Sequence, residues 1–360
     1  MRFASVTGLI LVALLGGAPA SGQGPPYYAG RTIEIIVPFS PGGGVDIQSR
    51  FMAAYFEKHL PGHPRVLVRN MPGGGGILGM NFFASSAKPD GTQMLALSSG
   101  ASAIPYLLGA PAVRYDFRQW RLVATNGGGG VIYTAPRTGV RRAGDLRHPS
   151  EPLVYGGLSP IALDLNVLLL FELLGVPARA VFGFEGRGPV LLAFERGEVN
   201  IDHQTTAVYR SQVVRLVEEG KAIPLLSFGL LDGRGRVLRD PTAPELPTVY
   251  EVFQQMTGRK PDGLLRWKAL QAVLVPSFTY NKTFWVPQAT PAQAVNALWD
   301  AVARMSADPQ FRAQGRAILE GYALTRGDRS EGAFLRSTRV TLDVQRFIKD
   351  LLRAKYSVDI

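Results

Sequence analysis

Apolar and polar positions follow two alternating patterns over the first part of the chain. Thr32 to Phe39 is apolar and rich in β-branched residues, which predicts a buried strand. Val45 to Leu60 has apolar residues at helical spacing, which predicts a helix. The pattern continues with strands at 65–69 and 93–97 and a helix at 77–87 between them. Strands that alternate with helices predict an α/β fold with a parallel sheet and right-handed crossovers.

Each of these predicted strands is followed by a loop of small residues. The loops are PGGG at 41–44, PGGGG at 72–76 and SSG at 98–100. In parallel sheets, ligands bind beyond the carboxyl ends of the strands. The sequence therefore predicts that the three loops converge on one edge of a sheet.

The alternation resumes after a looser region. The glycine run NGGGG at 126–130 is compatible with either a loop or a flexible crossover between two lobes. Further segments predict strands at 131–135, 153–155, 178–182, 199–201 and 222–228, with helices at 160–174 and 190–196. The C-terminal part predicts helices at 291–306, 309–318 and 332–355.

The length and net charge of the chain limit the folds and ligands to be expected. A chain of 360 residues favours two lobes, and its net charge of +11 favours an anionic ligand or partner. The basic residues are scattered and not interleaved with aromatic ones, so we expect no nucleic-acid binding. The chain has no cysteine, which excludes disulfides, a cysteine nucleophile and a lipid anchor on cysteine.

The first twenty residues have the pattern of a secretory signal peptide. Arg2 is followed by a short apolar run at 7–15, and Ala18-Pro19-Ala20 is a small-x-small cleavage signal. The apolar run is too short to span a bilayer. We therefore expect cleavage near Ala20 and export of the mature protein to the periplasm.

The glycine loop at 41–44 does not fit a nucleotide site. A phosphate-binding P-loop needs a Lys and a Ser or Thr after its glycines, and Val45-Asp46-Ile47 stands there instead. A dinucleotide fingerprint needs Gly or Ala at position 47, which is Ile47. A carboxylate at the helix N-terminus remains possible, because free N–H groups and the helix dipole favour an anion there. Asp46 either caps its own helix or positions the ligand.

The sequence carries no enzyme signature that we recognise. The histidines are His59, His63, His148 and His203, and only His203 lies at a predicted strand end near the loops. There is no Gly-x-Ser-x-Gly elbow and no cluster with metal-ligand spacing, so we expect no catalytic residue, metal or cofactor. An exported hydrolase that uses His203 is the least favoured alternative.

Three motifs carry a family resemblance. RTIEIIVPFSPGGGVD at 31–46, VRNMPGGGG at 68–76 and KPDGTQMLALSSG at 88–100 resemble, in order and spacing, the substrate-binding proteins of tripartite tricarboxylate transporters, also called Bug proteins. LVYGGLS at 153–159, EVNID at 198–202, ELPTVYEV at 245–252 and FWVPQATP at 284–291 extend the resemblance along most of the chain. The segment at 259–280 is longer than the common form.

The resemblance implies a two-lobed, type II periplasmic-binding-protein fold, in which each lobe is a mostly parallel sheet flanked by helices. Residues 30–125 and 231–360 would form the first lobe, and 126–230 the second. The ligand would lie in the cleft between them. The site residues implied by motif are Phe39, Ser40, Pro41, Gly42, Gly43, Asp46, Gly74, Ser98, Ser99, Gly100, Gly157, Leu158, Ser159, Phe184, Arg187, Asp202, Gln204 and Thr205.

The implied function is an exported receptor, monomeric and without catalysis, that binds a small organic anion and delivers it to a membrane permease. The anion would be a di- or tricarboxylate or an aromatic carboxylate. An alternative is a sensor on the same fold that signals to a partner. Arg187 would pair with a distal charge of the ligand or form a surface ion pair with Glu185, and Asp202 and Gln204 are alternatives for one acidic position.

Overall fold

The fold is built on two separate sheets. In a computed structural model of the protein, residues 25–184, 186–231 and 236–360 are described. The predicted signal peptide, residues 1–20, and Glu185 lie outside the described residues. None of the described helices is long and apolar enough to cross a membrane.

The first sheet has six strands in the order β13-β4-β12-β3-β1-β2, and the second has five in the order β7-β6-β8-β5-β9. A short hairpin of β10 and β11 stands apart from both. The strands are β1 (Thr32–Val37), β2 (Arg65–Asn70), β3 (Gln93–Ser98), β4 (Trp120–Asn126), β5 (Gly130–Thr134), β6 (Leu153–Gly156), β7 (Ala178–Val181), β8 (Ile201–Thr205), β9 (Ile223–Ser227), β10 (Leu230–Leu231), β11 (Val237–Leu238), β12 (Lys282–Pro287) and β13 (Leu324–Arg326).

Helices cover both faces of both sheets. They are α1 (Gly44–His59), α2 (Ile77–Ser86), α3 (Ser99–Leu107), α4 (Leu165–Leu174), α5 (Arg187–Glu195), α6 (Thr206–Val208), α7 (Val214–Glu218), α8 (Val249–Thr257), α9 (Leu265–Leu274), α10 (Ala292–Ala307), α11 (Pro309–Ile318), α12 (Gly327–Ser337) and α13 (Leu342–Tyr356). Local signals fix several ends: Thr248 and Glu251 form a reciprocal capping box at α8, and Asp308 caps α11, which begins with Pro309.

The two-sheet α/β fold predicted from the sequence is confirmed, but the sheets are mixed and not mostly parallel. In the first sheet, β1 pairs in parallel with β2 and β3, whereas β12 runs antiparallel to β3 and β4. In the second sheet, β6 pairs in parallel with β7 and β8, whereas β5 runs antiparallel to β8 and β9. The chain enters the second sheet through β5 and re-enters the first through β12, so both of these strands run against their neighbours.

Strand ends meet at one edge of each sheet. We call the edge of the first sheet formed by Val37, Asn70, Ser98, Asn126 and Lys282 the first rim. We call the edge of the second sheet formed by Gly130, Gly156, Val181, Thr205 and Ser227 the second rim. Because only residues 127–129 separate Asn126 from Gly130, the two rims lie within about 14 Å of each other at this point.

Residues 127–129 cross between the rims in close contact with other side chains. A Cβ on Gly128 would overlap Asn281, and one on Gly129 would overlap Asp240. The Gly128 N–H donates to the carbonyl of Phe278 at 2.8 Å. Of the two interpretations of the NGGGG run, the structure therefore selects the crossover.

The cores show which segments belong to each sheet. One face of the first sheet packs on α1 and α10, and the other on α2, α3 and α12. The largest core joins α4 of the second sheet to α8, α9 and α13. The lobe boundaries at 126 and 230 stay a prediction, and these later helices contribute to the core of the second sheet.

Two C-terminal features differ from the sequence pattern. The helix predicted at 332–355 is two helices, α12 and α13, because Thr338, Val340 and Thr341 are β-branched and Thr341 is extended at the start of α13. The long segment at 259–280 forms α9 and then a π-helical turn, Val275–Thr279. This turn packs against α3 of the first sheet, whereas α9 packs against α4.

We predict that Leu270→Ala lowers the free energy of unfolding by about 2–5 kcal/mol, because Leu270 of α9 is fully buried in the core shared with α4. Leu265→Ala on the same helix is the matched control, since Leu265 is 37% exposed. The control should change the free energy by about 0.5 kcal/mol or less. Urea unfolding of both variants measures this, and equal small losses would show that α9 is not part of the core.

Candidate functional site

The loop before α1 leaves the N-terminus of that helix open. Residues Ser40, Pro41, Gly42, Gly43 and Gly44 are exposed, and Gly43 precedes the helix without any side-chain cap. An uncapped helix start presents free N–H groups and a partial positive charge. This part of the predicted site can therefore accept an anion.

Asp46 holds that loop in place. Its carboxylate is buried and accepts hydrogen bonds from the Gly42 N–H at 2.8 Å, from Arg50 Nε at 3.1 Å and from Asn70 Nδ2 at 2.9 Å. Asn70 also donates to the Phe39 carbonyl at 3.0 Å. Burial alone would raise the pKa of Asp46, but the hydrogen bonds from Arg50, Gly42 and Asn70 outweigh it and lower the pKa below its ordinary value. Asp46 thus fastens the loop to β2, and its bonds are to the protein itself.

The second and third loops extend the first rim. Gly74 is exposed, and Gly76 lies so close to the ring of Phe39 that it leaves no room for a side chain. Ser98 precedes α3 on this rim, and no side chain caps the start of that helix.

The third loop is partly covered by other parts of the chain. Ser99 donates its N–H to Asn281 and shares a hydroxyl contact with Thr283 at 3.1 Å. A Cβ on Gly100 would lie 2.9 Å from both Leu163 and Ser277. The π-helical turn therefore packs directly over the start of α3.

On the second rim, Asp164 has the role that Asp46 has on the first. Leu158 and Ser159 donate their N–H groups to Asp164 Oδ2 at 2.8 and 3.1 Å. Gly157 donates its N–H to Val181, and Phe184 donates to Gly157. The loop at 157–159 is therefore shaped by internal bonds, and Ser159 and Phe184 are both half-buried.

Arg187 lies in a buried ionic network. Its guanidinium contacts Asp164 Oδ1 at 2.6 Å and Asp202 Oδ1 at 3.2 Å, and it donates to the carbonyl of His203 at 2.8 Å. Tyr155 donates to Asp164 at 2.5 Å, and Tyr133 donates to Asp202 at the same distance. The donors of Arg187 are thus engaged within the second sheet. The contact of Arg187 with a ligand stays a prediction, and Glu185, the other partner considered from the sequence, lies outside the described residues.

The remaining predicted residues of β8 take part in the same network. Gln204 donates to Asp202 and to the Arg187 carbonyl, both at 3.0 Å, and Thr205 is half-buried at the end of the strand. Burial raises the pKa of the Asp202 carboxyl, although Arg187 opposes the rise. Asp202 and Gln204 therefore both brace Arg187 in this structure.

His203 is fully buried, and burial together with the Arg187 charge lowers its pKa well below the ordinary value. Its Nδ1 lies 3.4 Å from Arg187, and its ring contacts Phe228 and Phe278. Its Nε2 has no hydrogen-bond partner among the described residues, so no serine hydroxyl there forms the pair that a hydrolase needs. The described residues also contain no group of three acids or histidines that could hold a metal.

A polar cluster on the first rim was missed by sequence reasoning. Lys282, the first residue of β12, forms an ion pair with Glu320 at 2.7 Å, and the two side chains are only 8% and 7% exposed. Gln48 of α1 donates to Asn126 at 2.7 Å, and Asn126 is the strand neighbour of Lys282. A lysine at the start of an otherwise apolar strand was the one available signal.

The predicted site residues lie on or near the two rims, away from two cavities of the molecule. Two cavities, of about 250 and 370 Å³, are lined by Asn81, Phe82 and Arg114 and by Lys268, Arg339 and Val344, respectively. No predicted site residue lines either cavity.

Two sheets joined by a short crossing make a two-lobed α/β fold, and solved structures of periplasmic binding proteins show the same fold. The periplasmic binding protein BugD superposes with a TM-score of 0.63 at 20% identity, covering 90% of this chain and 98% of that one. MatC of Rhodopseudomonas palustris, solved with bound malate, gives a TM-score of 0.62 at 22% identity, covering 89% and 99%.

Proteins of similar sequence narrow the comparison from a fold class to a family. The Bordetella pertussis protein BugT is 35% identical over 210 residues, which is 56% of this chain and 62% of that relative. A UPF0065 protein of the same organism is 26% identical over 315 residues, 86% of each chain. No family model matches the chain. The chain is therefore similar to the Bug family of TctC-like solute-binding proteins, the family that its motifs predicted.

We predict that Asp46→Asn lowers the free energy of unfolding by about 1–3 kcal/mol at pH 7, because charge-assisted bonds to Gly42, Arg50 and Asn70 are weakened. Since the pKa of folded Asp46 is lowered, its contribution is complete above the ordinary value of about 3.9 and is lost as the pH falls through the folded value. Urea unfolding of both proteins between pH 7 and pH 3 measures the difference.

The control for Asp46 is Asp328→Asn, also in the first turn of a helix but exposed and paired with Arg326. It should change the free energy by about 0.5 kcal/mol or less. A loss at Asp46 that does not shrink at low pH would contradict the assigned role.

We predict that Arg187→Met lowers the free energy of unfolding by about 3–5 kcal/mol, because it leaves Asp164 and Asp202 buried without a cation. Arg118→Met, which breaks an exposed ion pair with Asp116, should cost about 1 kcal/mol or less. Denaturant unfolding compares the two. A stable Arg187→Met protein that has lost ligand affinity would restore the ligand-contact interpretation.

Proposed function

We propose that this protein is an exported receptor that binds a small organic anion between its two rims and delivers it to a membrane permease. The anion is a di- or tricarboxylate or an aromatic carboxylate. The protein contributes binding and no catalysis.

The observation that carries the proposal is the open N-terminus of α1 on the first rim, together with the uncapped start of α5 beyond the second rim. The helix α1 begins after the exposed glycine loop, and α5 begins after Gly186, each without a side-chain cap. Each of these helices has nine residues or more, so its dipole and its free N–H groups favour an anion at its start. The net charge of +11 supports the same ligand sign, and malate is bound in the similar MatC structure.

The proposed binding cycle is a movement of the two lobes about residues 127–129, the short connection between the two sheets. A ligand that contacts both rims favours the closed arrangement, since only that arrangement offers both sets of contacts. A permease that recognises the closed arrangement would then distinguish loaded receptor from empty receptor.

We predict that organic acids raise the thermal unfolding temperature of the purified protein. A ligand at 100 times its Kd that binds only the folded state adds about 2.7 kcal/mol to the free energy of unfolding. A thermal-shift panel of di-, tri- and aromatic carboxylates, with neutral sugars and organic cations beside them, measures this. Shifts with sugars or cations and none with any acid would contradict the proposal.

Two valine variants show where the ligand binds. Gly43→Val places a branched side chain over the first turn of α1, where a Cβ meets only the Ser40 carbonyl at an ordinary 3.6 Å. It should abolish the shift while it changes stability by about 1 kcal/mol or less. Gly263→Val, at a glycine with open space around it, should keep the full shift.

A further inference from the structure

The polar cluster on the first rim forms a closed ring of contacts. Gly44 lies against Lys282, since its Cβ would be 3.6 Å from Lys282 Cε. Lys282 pairs in register with Asn126, and Asn126 accepts a hydrogen bond from Gln48. Gln48 lies one helical turn after Gly44 on the same face of α1, which closes the ring. The cluster therefore sits directly beside the open start of α1.

The cluster has hydrogen-bonding capacity that the protein leaves unused. An ammonium group has three donors, and within the described residues Lys282 Nζ donates one hydrogen bond, to Glu320 Oε1. Glu320 Oε2 and Gln48 Oε1 are buried and have no partner among the described residues. Buried oxygens without a partner are costly, so water or a ligand group is expected to pair with these two.

The backbone conformation of Glu320 is a second indication that its side chain has a specific role. Its φ is +59°, in the left-handed region that disfavours any residue with a Cβ. Glycine would avoid that strain and indeed follows at Gly321. Strained residues of this kind concentrate at binding sites.

We propose that Lys282, Glu320 and Gln48 form a subsite for a hydroxyl group, so that the preferred ligands are hydroxy-substituted carboxylates. This inference rests on the proposed function, because the start of α1 would hold the carboxylate of the same ligand. A hydroxyl can accept from the Lys282 ammonium and donate to Glu320 or Gln48 at once. A carboxylate alone would leave both free oxygens unpaired, and an ammonium alone would leave the lysine donors unpaired.

The subsite is enclosed, which makes it selective. Lys282 and Glu320 are more than nine-tenths buried, so an acid that lacks the hydroxyl leaves their polar atoms without partners when the lobes close. Sites built around a ligand hydroxyl discriminate strongly against the analogue that lacks it. We expect affinity ratios of about 10- to 100-fold for such pairs of acids.

The test uses pairs of acids that differ by one hydroxyl. These are malate and succinate, citrate and tricarballylate, and mandelate and phenylacetate, with both enantiomers of the chiral acids. Calorimetric titration of the wild-type protein should give a tenfold or larger preference for the hydroxy acid in at least one pair. In Glu320→Gln the preference should fall at least fivefold, while binding of the hydroxyl-free acid is retained.

The matched control is Glu172→Gln, which removes the charge from a carboxylate paired with Lys355 at 2.6 Å, away from both rims. It should keep the wild-type ratio. If Glu320→Gln does not fold, Gln48→Met removes the other free oxygen and should lower the same ratio.

The outcomes separate the two proposals. Equal affinity for both members of every pair, or an unchanged ratio in Glu320→Gln, overturns the hydroxyl subsite and leaves the receptor function standing. Absence of binding by every acid overturns the receptor function and, with it, the subsite.

Discussion

The close packing at residues 127–129 is the constraint on which the rest of the structure depends. Gly129 passes beside Asp240, whose buried carboxylate accepts from Thr206 at 3.0 Å and from Tyr322 at 2.6 Å. These partners come from opposite sides of the crossing, because Thr206 follows β8 and Tyr322 precedes β13. The crossing and this carboxylate therefore tie the two sheets together beside the rims.

Buried carboxylates shape the loops on both rims in a similar way. Asp46 stabilises the loop before α1, and Asp164 stabilises the loop after β6. Each carboxylate accepts hydrogen bonds from backbone N–H groups of its loop. A carboxylate accepts several hydrogen bonds at once and so can fix a glycine-rich loop that has few side chains of its own. The acids on the two rims therefore orient backbone N–H groups of the loops that they hold.

Local sequence patterns predicted most of the helices and strands and the three loops of the first rim. Strand periodicity and clustered glycines can be recognised within a few residues of sequence. They did not predict the partners of Arg187, because Asp164 and Asp202 approach it only when the second sheet assembles. Asp46 was undecided for the same reason: Asn70 lies on another strand. Lys282 and Glu320 are 38 positions apart in the sequence and belong to no motif, so their pairing is visible only in the folded structure.

The turn Val275–Thr279 reaches three parts of the molecule. Phe278 bonds to the crossing through Gly128, and Ser277 lies over Gly100 of the first rim and accepts from Asn166 of α4 at 3.0 Å. Extra length in a protein is usually accommodated in surface loops, which tolerate insertions. Here the turn contacts the start of α3 and the crossing together, so a substitution within it would disturb both places at once.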